Sequence, residues 1–376
     1  FPFFSGIGSN AHLMDVTFRN IIVTNFNYAG NGAGFKLGNS KLDGDPSDPS
    51  RFATLRLENV EISNCVVTGA ANGGGALFNG RGVNVIADKC LFANNSSDES
   101  ASGSSKGGGA IGTTGSGGSF LFTNCTFYGN SAALGRGGAI YTGMDCKVIN
   151  CTFTGNRAFN GGGFYGHNAG KMYTLINTIC YNNIDENETG DIRRNNGDFT
   201  IYNCLATVVS PALAENFDSN GNILTTPAMK VFENDAAPEL KDNGGNTLTV
   251  ALHATQSMAA KAGTATAPAG IDVTIPTVDQ RGYTRAAKPC MGAFELGGIE
   301  PVGIQTATAD AKFNYSVEKG RLVIAESGEC RIFNTLGAKI TELTINGSAP
   351  INLESGIYIV RFMNEAGTSV AKVLIP

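Results

Sequence analysis

The chain has 376 residues, 42% of them apolar, with 50 glycines, 12 prolines, nine cysteines and no tryptophan. A net charge of −5 without clustered lysines or arginines argues against nucleic acid and against an anionic membrane surface as partners. No apolar run reaches the roughly 18 residues of a transmembrane helix. Abundant glycine with little helical periodicity points to an all-β protein of two or three domains.

Phe1-Pro2-Phe3-Phe4 opens the chain without Met or a charged leader, so it reads as a piece cut from something longer. Residues up to about Val16 then finish an earlier coil. A repeat follows in which an alternating apolar run ends at an asparagine, usually followed by cysteine. Examples are Val60-Glu61-Ile62-Ser63-Asn64-Cys65, Phe120-Leu121-Phe122-Thr123-Asn124-Cys125 and Val148-Ile149-Asn150-Cys151. The asparagine position is filled by Asn20, Asn64, Lys89 (the exception), Asn124, Asn150, Asn177 and Asn203, a spacing of about 26 residues with insertions. Residues two and four before it are apolar, and so are residues one and three after it. Strand side chains alternate with period two, so the inward phase slips by one at the asparagine. A sharp corner in the left-handed conformation that Asn tolerates explains the slip, and stacked corner amides can form a ladder. Gly73-Gly74-Gly75, Gly107-Gly108-Gly109, Gly137-Gly138 and Gly161-Gly162-Gly163 precede short apolar strands, as tight turns between closely spaced coils would.

The pattern predicts about seven coils to roughly Ala206. Cys65, Cys90, Cys125, Cys151 and Cys204 form one inward file of free, buried thiols rather than disulfides or a metal site. Asp43, Asp45 and Asp48 in the first insertion are weak Ca²⁺ candidates, against the plainer reading of a solvated loop; no other cofactor is expected. The second insertion, Asn94 through Gly109, reads as a protruding Ser/Gly-rich loop. The stretch from Asn183 to Arg194 concentrates both charge signs, which nominates Asp185, Asp191, Arg193 and Arg194 as loop residues for a polar ligand.

From about 205 the repeat loosens. Asp279-Gln280-Arg281-Gly282 and Met291-Gly292-Ala293-Phe294-Glu295, with the Asn-Cys-Thr-Phe and Gly-Gly-Ala-Ile repeats, resemble bacterial surface proteins built as right-handed parallel β-helices, polymorphic and adhesin-like. The resemblance spans about residues 15–297 and implies that the later part closes the stack, whose open end needs covering. Residues 300–310 read as a linker. Six alternating segments follow: Arg321–Ala325, Cys330–Asn334, Lys339–Ile345, Ile351–Leu353, Gly356–Met363 and Ser369–Ile375. They suggest an Ig-like β-sandwich over 311–376. Leu353-Glu354-Ser355-Gly356-Ile357-Tyr358 and Lys372-Val373-Leu374-Ile375 are similar to the C-terminal sorting domains of type IX secretion. That resemblance implies outer-membrane secretion machinery as a partner and a secreted or surface-anchored location in a Gram-negative bacterium.

Cleavage of a polysaccharide on such a scaffold needs carboxylates at one register in adjacent coils. The position before the corner reads Arg19, Ser63, Asp88, Thr123, Ile149, Ile176 and Tyr202, with a single acid. His12, His167 and His253 are isolated, and no catalytic residue is nominated. Tyr141 and Tyr165 follow equivalent glycine turns in consecutive coils and read as a two-rung exposed ladder for sugar rings, with core packing as the alternative. The sequence therefore describes an all-β chain, a parallel β-helix over 1–299 followed by a small β-sandwich. Its leading function is adhesin-like binding of glycan or matrix protein. A polysaccharide lyase or hydrolase and a structural stalk are the alternatives.

Overall fold

In each coil the alternating run ends at a residue held in the left-handed region, at φ of 48° to 55°: Asn20, Asn59, Lys89, Asn124, Asn150, Asn177 and Asn203. A short strand later the chain turns again at Asn25, Asn64, Asn94, Gly129, Gly155 and Asn182, also at positive φ. These two corners divide each of the first six coils in the computed structural model. It describes residues 1–6, 15–38, 52–68, 72–97, 107–113, 117–187, 190–300, 315–318, 321–334, 339–364 and 367–375. The chain forms two units, Phe1–Glu300 and Pro301–Pro376.

The first unit is a parallel β-helix of four sheets. Sheet A has seven strands, from Phe4–Gly6 to Ile192–Arg194, and sheet B seven, from Val16–Arg19 to Asp198–Tyr202. Sheet C has eight, from Ile22–Thr24 to Ile223–Leu224, and sheet D six, from Asn27–Tyr28 to Ile184–Asp185. Neighbouring coils pair in parallel, as with Val85 on Phe120 in sheet B and Phe92 on Phe127 in sheet C. The slip in phase at the corner is thus the passage from sheet B to sheet C.

One register assignment is corrected. In the second coil the first corner is Asn59, one strand earlier than the expected Asn64, which is the second corner. Leu55 and Leu57 therefore take the inward places assigned to Val60 and Ile62. The misreading arises because both corners pair a left-handed residue with a small residue that faces inward. Cys90, Cys125, Cys151 and Cys204 follow first corners, with Thr178 among them, whereas Cys65 follows a second corner. All nine cysteines are free and buried. The core also stacks Phe92, Phe127 and Phe153 face to face, with ring centroids 4.8 and 4.5 Å apart.

The amide ladder stands after the second corner rather than on the first. The Asn95 side-chain amide donates to Asn130 Oδ1 at 3.0 Å, that of Asn130 to Asn156 Oδ1 at 2.9 Å, and that of Asn156 to Asn183 Oδ1 at 2.8 Å. Each amide also donates to a backbone carbonyl, of Ile62, Phe92 and Phe127 in turn. Each Oδ1 accepts the backbone N–H of the coil below, starting from Cys65 on Asn95. The amides of this ladder are thereby satisfied, as a dry core demands. On the first-corner file, Asn177 bonds Asn150 at 2.7 Å. The glycine turns allow close stacking: a Cβ on Gly75 would meet the Gly109 carbonyl oxygen at 2.5 Å, and one on Gly138 would collide with that of Gly162.

The stack is closed by a short segment. The 3₁₀ turn Pro211–Leu213 and helix α1 (Ala214–Phe217) bury Leu213 and Phe217 in the same core as the coils. Residues beyond about 225 run along the side of the helix instead of over its end. Gln280 accepts from Thr126 at 2.6 Å, Arg285 donates to Asn124 Oδ1 at 3.0 Å, and the Ala293 N–H donates to Thr152 at 2.9 Å. The Asp279–Arg281 and Arg285–Glu295 ion pairs, at 2.7 and 3.2 Å, are buried in this clamp. The signature residues there are therefore structural.

The second unit is a five-stranded antiparallel sheet: Tyr315–Glu318, Arg321–Phe333, Lys339–Pro350, Gly356–Asn364 and Gly367–Ile375. The register of Arg321–Phe333 shifts between Ile324 and Ser327, where its partner on one edge changes from the first strand to the fourth. Two expected strands are thus one, and 351–353 is an unpaired connection. Leu322, Ile324, Cys330, Ile332, Val360 and Phe362 share its core.

Ladder asparagines and corner asparagines answer to different physics. Asn130→Ala orphans the Asn95 amide groups and is expected to cost about 3–5 kcal/mol, whereas Asn64→Gly keeps its corner and costs under about 1 kcal/mol. Chemical unfolding midpoints of the two variants check this; equal losses would contradict it.

Candidate functional site

The corrected register changes the outer face of sheet B. The column before the first corner reads Arg19, Glu58, Asp88, Thr123, Ile149, Ile176 and Tyr202, so acids stand side by side in two successive coils. Coil spacing places such neighbours about 4.8 Å apart at the backbone. Arg19 forks onto both oxygens of Glu58, and this hydrogen-bonded pairing holds the carboxyl below its usual range. Asp88 accepts from the Thr123 hydroxyl at 2.7 Å and from the Asn124 amide at 3.2 Å, with Lys89 at 3.4 Å. Residues 271–278 cover the upper part of this face, packing Ile275 on Ile149 and Ile176. At their edge opens a cavity of about 580 Å³, walled by Asp88, Lys89, Thr123, Lys147 and the strap from Asp272 to Val278. Lys147 donates to the Asp272 carbonyl at 2.7 Å across it. The cleft thus mixes charges of both signs with apolar surface.

The outer face of sheet A carries the aromatic candidates. Tyr141, Tyr165 and Arg193 align in three successive coils. The tyrosine rings lie 5.6 Å apart, tilted by 40°, and are only 4% and 2% exposed. The expected exposed ladder is therefore not formed: the Arg136 guanidinium lies over the Tyr165 ring at 5.4 Å and His167 sits 5.3 Å from Tyr141. Burial and the nearby Arg136 charge lower the His167 pKa, which keeps the imidazole neutral at neutral pH. Sequence reading nominated Tyr141, Tyr165 and Arg193 but not Arg136, whose place beside them depends on coil-to-coil contacts.

The charged stretch nominated after Asn183 as a loop lies partly in strands. Ile184–Asp185 is a strand of sheet D and Ile192–Arg194 one of sheet A. Asp185 accepts the Gly161 and Asn187 N–H groups, and Arg194 lies 4.0 Å from Asp198. Asp191 is buried and ends the amide ladder. One oxygen accepts the backbone and side-chain N–H of Asn183, the other those of Thr207 and Val208. Burial outweighs these four donors and pushes its pKa up to about 6. His253 Nδ1 accepts the N–H groups of Thr255 and Gln256 in a turn. Asp43, Asp45, Asp48 and His12 lie outside the described residues.

Residues 124–143 match the Chlamydia polymorphic membrane protein repeat. They run from the Asn124 corner through the Gly137-Gly138 turn to the sheet A strand that holds Tyr141. This coil is thus similar to a bacterial surface repeat. No curated protein and no solved structure matches the chain. Among the described residues, no helix is long and apolar enough to cross a membrane.

Because the folded state raises the Asp191 pKa above its unfolded value near 4, its proton stabilises the fold. That contribution is complete below pH about 4 and is lost as pH rises through about 6. The stability of the native chain minus that of Asp191→Asn should fall by roughly 3 kcal/mol between pH 4 and 7. Denaturant unfolding across that range checks it, and a flat or rising difference would contradict it.

Proposed function

We propose that this chain is a secreted bacterial surface protein whose β-helix binds extracellular polysaccharide along its flanks, with the C-terminal unit serving delivery or anchoring at the outer membrane. The observation that carries the binding reading is the lateral cleft of about 580 Å³ between sheet B and the 272–278 strap. Its lysines, carboxylates, hydroxyl and apolar side chains suit the alternating hydroxyl and C–H surfaces of sugars. The repeat match at 124–143 supports the surface location. The Leu353–Tyr358 element supports the secretion reading by resemblance.

A second reading, polysaccharide cleavage, is favoured by the stacked Glu58 and Asp88 beside this cleft. Arg19 already occupies both oxygens of Glu58, which leaves that carboxylate engaged rather than free to act on a substrate, so binding is preferred.

Incubating the full chain with neutral and acidic polysaccharides separates the readings. Retention on at least one polymer without bond cleavage is expected, weakened by Lys147→Glu. New reducing ends or unsaturated uronates that disappear in Glu58→Gln would establish cleavage instead. A chain that neither binds nor cleaves any polymer would overturn both.

A further inference from the structure

Two arginines reach the outer face of sheet A: Arg193, on a strand of that sheet, and Arg136, which ends a strand of sheet D and lies over Tyr165. Arg136 and Arg193 each bury a side-chain Nε without a hydrogen-bond partner, and so does the Nδ1 of His167. No ion pair to either guanidinium is formed among the described residues. Arg136 covers the ring of Tyr165 from the coil below, and Arg193 is the register neighbour of that tyrosine in the coil above. A guanidinium held half-buried without a counter-charge is stabilised when an anion docks beside it. Other arginines of the helix are paired, Arg19 with Glu58, Arg157 with Glu186, Arg281 with Asp279 and Arg285 with Glu295, while Arg56 and Arg81 have no ion pair among the described residues, and neither is stacked on a buried ring as Arg136 is. Arg194, next in sequence, has Asp198 at 4.0 Å.

We infer that Arg136 and Arg193, seated around Tyr165 and flanked by His167, form a binding site for an oxyanion, a carboxylate or sulfate borne by an acidic polysaccharide. A guanidinium presents a planar fork that matches such a group with paired charge-assisted hydrogen bonds. The buried tyrosines are its floor, fixing the arginines rather than offering a face for a sugar ring. His167, kept neutral, adds a donor without more charge. Capture of a polyanion by a chain of net charge −5 requires a local site of this kind. The choice of polysaccharide as the carrier rests on the surface-binding reading above; the site itself lies on a different sheet from the cleft.

The test is affinity electrophoresis of the full chain in gels containing polygalacturonate, dextran sulfate or neutral dextran, at low and high salt. The native chain should be retarded by at least one of the two polyanions, less so at high salt, and which one responds identifies the oxyanion. Arg136→Gln and Arg193→Gln should each weaken that binding about tenfold or more. Arg157→Gln, which removes an exposed paired charge, should leave it unchanged. Far-UV circular dichroism and the thermal midpoint confirm that the variants are folded. No retardation by either polyanion, retention that survives both substitutions, or an equal loss in Arg157→Gln would overturn the inference. Dextran binding that is indifferent to Arg136 and Arg193 would overturn it while leaving the surface-binding reading standing.

Discussion

Two left-handed residues per coil govern this protein. A strand alternates strictly, so a ribbon that must keep an apolar interior through a corner has to lose one step of the alternation there. A residue at φ near +50° supplies that step at each passage from sheet B to sheet C and again before sheet D. Asparagine tolerates this backbone; most other side chains pay for it, and Lys89 is the one first corner where a long side chain takes the place. Once both corners are fixed, phenylalanines, thiols and amides fall into files one coil spacing apart. The interior can then stay dry because the amide file consumes its own donors and acceptors.

The same constraint decides where chemistry can stand. Inward positions are occupied by files, so functional side chains are restricted to outward columns and to what packs over them. The residues from about 225 to 300 add the relief that a bare solenoid lacks. They clamp onto sheet C through Asn124, Thr126 and Thr152 and send a strap across sheet B, which makes the edge of a cleft. Sheet A, with its glycine turns, keeps an outward column of Tyr141, Tyr165 and Arg193. The protein thus offers two distinct lateral faces: one a mixed-charge cleft, the other a face with two arginines that form no ion pair among the described residues.

Much of this was legible in the chain itself. The Asn-Cys-Thr-Phe and Gly-Gly-Ala-Ile runs carried the parallel stack, because period-two alternation with a reset has few other solutions. The second coil misled, since Asn59-Val60 and Asn64-Cys65 both look like a corner followed by a small apolar residue. That single shift hid the Glu58–Asp88 neighbours by placing Ser63 in their column. It also drew attention from the dipeptides Asn94-Asn95, Gly129-Asn130, Gly155-Asn156 and Asn182-Asn183, whose regular return spells out the buried ladder. Asp191 read as a ligand residue because burial is invisible in a charged stretch; in the fold it ends that ladder. Arg136 was beyond reach for another reason: its partner is a ring in the next coil, and only the stacking distance brings them together.

Thiol accessibility tests the corner-driven register most directly. If the resets place every cysteine inward, a thiol reagent added to the native protein should leave all nine unmodified, and all nine should react once denaturant opens the coils. Rapid modification of Cys90, Cys125, Cys151 or Cys204 in the folded protein would contradict the account, because it would put that file on the outside of the ribbon.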